Sequence, residues 1–410
     1  MTILIYLFLI AVFFPYIKFF NIGTNTDTQF YSIILGLIII IIYLINRKFI
    51  INKKYVQIST YMFFVIIVCL IVDIKYNIFD IGDFVRGIYG YVSIIIIPFA
   101  SFISIKILMH SKLEKILKIF YGIWTGIGVL QIFNRNIFTG WRIRKVITSD
   151  RGVISLANEP AYFVIILLMI TLILLIINYN KNKKYMILTI LSSILLAQNA
   201  VGVVYSILLY IVFNIKNINI KTLIKFITIP FIFIIALLIY MNIDKDSRLT
   251  HLLSQLILNP LDLIFTDISL NIRFAHIYIS LKEFLSNCMM PHGVLAWGIE
   301  YYNNVISNPT LFIEPIYRFQ NVTNKIVTMN GALLYEIGIF AIPMYLFLYK
   351  ACKKIPFGKK IYIYIFLLGI NGLNISNPAF LFLIGYILFF IDINIGRNGG
   401  NTNDKKVIYM

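Results

Sequence analysis

Apolar residues in this chain fall in long blocks, and the blocks recur at intervals that suit helices crossing a lipid bilayer. Twelve blocks can be drawn, near residues 3–20, 30–46, 56–73, 87–105, 119–134, 160–178, 185–199, 201–215, 222–241, 331–349, 361–376 and 379–393. Most approach the length a helix needs to span ~30 Å of hydrocarbon. Backbone groups in lipid must pair internally, and the blocks lack the two-residue alternation of a membrane barrel, so the pattern predicts helices. The seventh and eighth blocks are short for a crossing and are interrupted by Gln198, Asn199 and Gly202. They predict a hairpin that either crosses fully or turns back early.

Two segments between blocks are long. Residues 135–159 join the fifth and sixth, and residues 242–330 form the one sizeable stretch outside the apolar pattern. Within the latter, Asp267 is placed to cap a helix starting at Ile268. Ile268, Ile272, Phe274, Ile277, Leu281 and Phe284 give that helix an apolar stripe suited to lying on a membrane. The polar tail Gly399–Asp404 predicts disorder. The expected architecture is an all-α polytopic membrane protein, one transmembrane domain over residues 1–410 with about twelve helices.

Composition agrees. Hydrophobic residues make up 60% and charged residues 13%, with a mean hydropathy of +0.88. A soluble globule carries about 25% charged residues, so that class is excluded. The net charge of +19 is scattered over short loops, where orientation and lipid headgroups account for it, and no nucleic acid partner is expected. The first block has neither a charged leader nor a small-residue cleavage site and reads as a retained helix. The three cysteines fall in a span, an outer loop and an inner loop, which implies no disulfide framework.

Sorting the charges by loop changes the picture most. The loops after every second block, with the C-terminal tail, hold 22 basic residues, of which twenty are lysine. By the positive-inside rule these loops are cytoplasmic, as are both termini, and residues 135–159 and 242–330 are periplasmic. The outward segments then hold eight of the ten arginines: Arg86, Arg135, Arg142, Arg144, Arg151, Arg248, Arg273 and Arg318. Lysine sets orientation, whereas arginine's planar fork grips phosphates and carboxylates with two hydrogen bonds. An anionic group is therefore expected at the outer face.

Four constellations are candidates for its chemistry. Arg142-Ile-Arg144-Lys145 fits either lipid headgroups or a bound anion. Arg151 precedes Glu159-Pro160, which opens the sixth block, and lies at the mouth of the bundle. Arg273, His276 and Ser280 share one helical face, able to hold a diphosphate and move a proton or else merely to face solvent. Glu336 lies inside the tenth block and needs a partner, structural or reactive. Pro291-His292-Gly293 with Trp297-Gly298 reads as an interfacial turn in preference to a sugar-stacking platform. HExxH, GxxxxGKS, GxGxxG and Cys/His metal spacings are all missing from the sequence, so no metal, nucleotide or other cofactor is expected.

Certain stretches resemble the O-antigen polymerase (Wzy-type) and O-antigen ligase superfamily. They are Arg151-Gly-Val-Ile-Ser-Leu-Ala-Asn-Glu159-Pro, the broken hairpin Leu191–Val203, Asp267-Ile-Ser-Leu-Asn-Ile-Arg273 with Pro291-His-Gly293, and Asn330-Gly-Ala-Leu-Leu-Tyr-Glu336-Ile-Gly338. The likeness covers most of the chain as architecture and only these stretches as motif. It implies a glycosyltransferase of the bacterial inner membrane that joins undecaprenyl-diphosphate-linked oligosaccharides at the periplasmic face. By this resemblance Arg151 and Arg273 match best the arginines that engage the diphosphate. Glu159, His276 and Glu336 join them as catalytic candidates, and Arg142, Arg144, Arg248 and Arg318 as diphosphate-binding ones. The regular Arg-to-Gly spacing of some polymerases is not met. Expected partners are the lipid-linked oligosaccharide and membrane lipid, with a chain-length regulator left open. A ligase that moves polymer to lipid A core shares these features. A flippase ranks lower, because it would line a central cavity with charge, whereas here charge collects at one end.

Overall fold

The computed structural model describes residues 1–18, 28–46, 53–142, 152–214, 255, 258–259, 262–312 and 325–399. The block 222–241 lies outside the described residues, as do Arg144, Lys145, Arg151, Arg248 and Arg318. Regular structure among the described residues is helical, with a single isolated antiparallel bridge between Ile17 and Arg142. The first half holds α1 (Thr2–Phe13), α2 (Tyr31–Asn46), α3 (Lys53–Lys75), α4 (Ile81–Leu108), α5 (His110–Phe133), α6 (Pro160–Ile177), α7 (Tyr179–Asn182), α8 (Lys184–Leu191) and α9 (Ala200–Asn214). The second holds α10 (Asp262–Thr266), α11 (Ile268–Ser286), α12 (Trp297–Ser307), α13 (Met329–Glu336), α14 (Ala341–Cys352), α15 (Gly358–Asn371) and α16 (Pro378–Gly399).

Four helices are long and apolar enough to cross a membrane: α3 from Tyr55, α4, α5 and α6. Several shorter apolar helices accompany them, and the chain has the makeup of a helical membrane protein. Two of the four form the centre, since 78% of the apolar window of α4 and 89% of that of α6 is buried, against 17% for α3. α6 is apolar on every side, which suits a helix surrounded by others. Small residues let backbones approach where apolar packing alone would hold them apart. A Cβ on Gly385 of α16 would lie 2.3 Å from the Pro98 carbonyl oxygen of α4, and one on Gly36 of α2 would lie 2.9 Å from Ile96.

The seventh and eighth blocks form a hairpin. α8 runs into a π-turn, Ser192–Leu196, and the chain reverses through Gln198 at φ +46° before α9. Asn199 Oδ1 accepts from the Gly202 N–H at 2.8 Å and so caps the returning helix. The tip is met by the segment leading to α6: the Val153 N–H donates to the Leu196 carbonyl at 2.8 Å. Gly152 has no room for a side chain there, because its Cβ would fall 2.2 Å from the Ala197 oxygen. Ser155 fixes the same segment to α5. Gln131 accepts from its N–H at 2.7 Å and donates to its carbonyl at 2.8 Å, while Ser155 Oγ donates to the Trp124 carbonyl.

The tenth block is not one helix. α13 ends at Glu336, a 3-10 turn follows at Gly338–Phe340, and α14 then begins. Gly338 takes φ +55°, and a Cβ there would lie 2.4 Å from the Met289 carbonyl oxygen, so the break seats the turn after α11. The Ile339 N–H donates to that same carbonyl at 2.8 Å.

Candidate functional site

One end of the bundle gathers the residues singled out by the sequence. Here α6 and α9 begin side by side, with Gly202 against Val164. The Tyr205 hydroxyl of α9 donates to the Leu367 carbonyl of α15 at 3.0 Å. The Met329 N–H at the start of α13 donates to the Leu373 carbonyl just beyond α15 at 2.7 Å. The opposite end is tied by Lys360, whose ammonium donates to the Phe213 carbonyl of α9, and by Tyr386 with His110.

Arg142 lies at the first of these ends. The 3-10 turn Thr139–Trp141 leads into it, and the Lys18 N–H donates to the Trp141 carbonyl at 2.7 Å, so the chain beyond α1 holds its backbone. Tyr16 stacks on Tyr162 of α6 at 5.4 Å, which ties that strand of backbone to the mouth. The Arg142 side chain is 1% exposed, and Nε, Nη1 and Nη2 all lack hydrogen-bond partners among the described residues. Burial lowers its pKa. A guanidinium is all donors and stays charged in proteins, so this arrangement is suited to receiving an anion.

Arg273 is half-buried on α11 and has no hydrogen-bond or ion-pair partner among the described residues. Its charge acts on His276 and on Tyr205, which places it beside the mouth formed by α9 and α15. The capping expected at Asp267 is present, with its Oδ1 accepting from the Leu270 N–H at 2.9 Å. The helix packs inward mainly through residues outside the apolar stripe expected to face a membrane. Ala275, His276, Ile279 and Ser280 point inward, while Leu281 is 45% exposed and Ile272, Phe274 and Ile277 are half-buried. The reason is steric: the small residues on this face let α13 approach until a Cβ on Gly331 would lie 3.1 Å from the His276 carbonyl.

His276 is thereby enclosed. Its Nδ1 accepts from the Val327 N–H at 3.0 Å, and Trp297 and Tyr301 meet the ring edge-on at 5.0 and 5.1 Å. Burial, reinforced by Arg273, pushes its pKa down to about 3. It is a neutral imidazole with Nδ1 already engaged, a geometry that suits holding the 325–328 segment in place.

Glu336 is half-buried and meets no arginine among the described residues. Its Oε2 accepts from the Tyr91 hydroxyl at 2.6 Å, which ties α13 to α4. Its carbonyl accepts from the Gly293 N–H at 3.1 Å, and the Pro291-His292-Gly293 stretch is a turn with Gly293 at φ +79°. Beneath that turn lies Asp73, fully buried at the end of α3, whose two oxygens accept from the Val294 and Leu295 N–H groups at 3.3 Å each. Glu159 stands in the N-cap position of α6 without bonding a backbone N–H, and its carboxylate has no partner among the described residues.

Three carboxylates of this region were not candidates from sequence. Asp73 ends an apolar block and meets partners more than two hundred residues later. Glu283 and Glu300 look like solvated positions on short helices, yet both line a polar cleft between α11 and α12. Burial raises the pKa of Glu300, with Glu283 adding to it and Lys282 opposing. A second, apolar cleft of about 230 Å³ lies among α3, α4, α14 and α16, near Tyr61, Pro98 and Phe347. Among the described residues no three His, Cys, Asp or Glu side chains converge to hold a metal ion. No protein-family model, no curated protein and no solved structure matches this chain.

Proposed function

We propose that this chain is a surface-polysaccharide polymerase of the bacterial cytoplasmic membrane, joining undecaprenyl-diphosphate-linked oligosaccharide repeats at the periplasmic face. In this reading twelve helices span the membrane with both termini inside, and the end of the bundle that carries Arg142 and Arg273 faces out. The observation that carries it is the Arg142 guanidinium, buried beside the mouth of the bundle with three nitrogens unpartnered among the described residues. Arg273 supports it as a second unpaired guanidinium on the same side.

The reaction asks for an acceptor, a leaving group and a proton sink. A hydroxyl oxygen of one lipid-linked repeat attacks the anomeric carbon of another, forming the new C–O bond. The bond from that carbon to the diphosphate oxygen breaks, and undecaprenyl diphosphate leaves with the electron pair. Arginines aimed at those oxygens stabilise the departing charge, each charge-assisted hydrogen bond contributing about 1.5–3 kcal/mol. The acceptor proton passes to a carboxylate, and Glu159, unpartnered at the start of α6, suits that role best. His276 and Glu336 act as positioning residues in this scheme, because their hydrogen bonds hold the surrounding segments.

Complementation of a deletion strain tests the reading. Arg273→Ala and Arg142→Ala should insert normally and abolish the glycan ladder. Arg273→Lys should fail almost as badly, since an ammonium loses the bidentate geometry. A parental ladder from both alanine variants overturns the proposal. Loss of all glycan from the lipid A core, instead of single-repeat product, assigns the ligase reaction. Reporter fusions that place residues 262–312 in the cell interior also overturn it.

A further inference from the structure

The polar cleft between α11 and α12 is opposite in sign to the arginine region. Its volume is about 400 Å³, and Tyr76 and Ile78 after α3, with Asn287 and His292 after α11, complete its wall. That size falls within the ~300–1,000 Å³ typical of small-molecule sites. Glu283 on its rim is already engaged: Oε1 accepts from Asn304 Nδ2 at 3.2 Å, Oε2 from Ser286 Oγ at 3.4 Å, and Lys282 Nζ lies 3.9 Å away. The Glu300 carboxylate has no hydrogen-bond partner among the described residues, while its carbonyl accepts from Asn304 Nδ2 at 2.9 Å.

Behind the lining, aromatic and polar groups pack against His292. His292 is 7% exposed, and Asn287 Nδ2 lies 3.5 Å from its Nε2. With the amide donating to Nε2, the ring proton sits on Nδ1, a buried donor that meets no acceptor. The His292 ring stacks on Tyr335 at 4.4 Å with planes 15° apart, and Trp297 meets Tyr335 edge-on at 5.0 Å. The Tyr335 hydroxyl and the Trp297 indole nitrogen are likewise buried without partners.

We infer that this cleft is a saccharide subsite, taking a neutral or amino-substituted sugar ring through hydrogen bonds from its hydroxyls to Glu300 and Glu283. Sugar hydroxyls are donors that carboxylates accept strongly. A diphosphate is repelled by two adjacent carboxylates, so the cleft and the arginines divide a lipid-linked glycan between its sugar and its anionic part. Naming that glycan as the physiological ligand rests on the polymerase reading, but the binding chemistry of the cleft does not.

Saturation-transfer NMR on the full chain in detergent tests it, with methyl glucoside and glucosamine as probes and inorganic diphosphate as control. Both sugars should receive transfer from the parent protein, and Glu300→Gln should weaken them by about tenfold. Glu283→Gln combined with Glu300→Gln should abolish sugar transfer and leave the diphosphate signal intact. Arg273→Ala should do the reverse. Glu300→Gln alone is isosteric and removes no hydrogen bond present in the fold, so it remains informative if the double variant misfolds. Absence of transfer to either sugar from the parent, or undiminished transfer from Glu300→Gln, overturns the inference. Sugar binding with a parental glycan ladder in the deletion strain would sink the polymerase reading alone. A lost ladder without sugar binding would sink this one alone.

Discussion

Arg142→Met separates folding from function at a single position. Methionine keeps an unbranched apolar stem and removes the charge. The guanidinium it replaces is 1% exposed, and its three nitrogens are unpartnered among the described residues, so within them the buried charge is uncompensated. Charges stranded in this way destabilise proteins by about 3–5 kcal/mol. The contact with Ile17 is a main-chain bridge and survives the substitution. If only half of that penalty is recovered, the unfolding midpoint of this 410-residue chain should rise by about 2–3 °C, at ~1.2 °C per kcal/mol. An anion that neutralises the parent guanidinium should also stabilise it, by about 2.7 kcal/mol at a hundred times its dissociation constant. Thermal unfolding of the purified full chain with and without inorganic diphosphate, paired with the glycan ladder, reads all three quantities. The expected variant is more stable than the parent, insensitive to diphosphate, and unable to make polymer. A variant less stable than its parent, together with a parent indifferent to diphosphate, would refute the reasoning, because Arg142 would then be part of the scaffold.

His276→Asn should preserve both fold and polymer, since Oδ1 takes the place of Nδ1 in accepting from Val327; His276→Phe should lose about 1–3 kcal/mol of stability by stranding that N–H. Loss of polymer in a well-folded His276→Asn protein would restore a chemical role to the ring. The pKa of His276 is about 3 in the fold against an ordinary 6.5, so below pH 6.5 the unfolded chain takes up a proton that the folded one refuses. Its contribution to stability is therefore present above pH 6.5 and is lost toward pH 3, with a slope approaching about 1.4 kcal/mol per pH unit, and His276→Asn should flatten that part of the melting profile. Gly293→Ala should destabilise by about 3 kcal/mol or more, because φ is +79° and the new Cβ would fall 2.1 Å from Asp73 Oδ1. An unchanged midpoint in that variant would argue against the turn being clamped by Asp73.

Hydropathy made most helices legible, because a block such as Phe163–Ile176 has one stable solution in an apolar environment. Caps were legible as well: Asp267 precedes α11 and Pro160 opens α6 as their chemistry requires. The break between α13 and α14 was not, since an average over apolar residues does not register the positive φ at Gly338 or the carbonyl pressed against it. The face by which α11 packs inward was not legible for a related reason. Ala275 and Ser280 are weak contributors to an apolar stripe, yet their small size decides which face another helix can reach. At the candidate site, Arg142 stood out as a candidate anion ligand from its residue type, but its burial depends on the chain beyond α1. Glu300 was illegible altogether, because its setting is built from Tyr76, Asn287 and His292, distant in the sequence.

The carboxylate of Asp73 also has a consequence for assembly. Ribosomes deliver residue 73 long before residues 294 and 295, the two amides that will neutralise it. During that interval the nascent third helix carries a hydrated acid at its tip, which resists being drawn deeper into the lipid. Capture by the later amides then withdraws the acid from water, so this end of α3 is fixed only after the turn at residues 291–295 has been made.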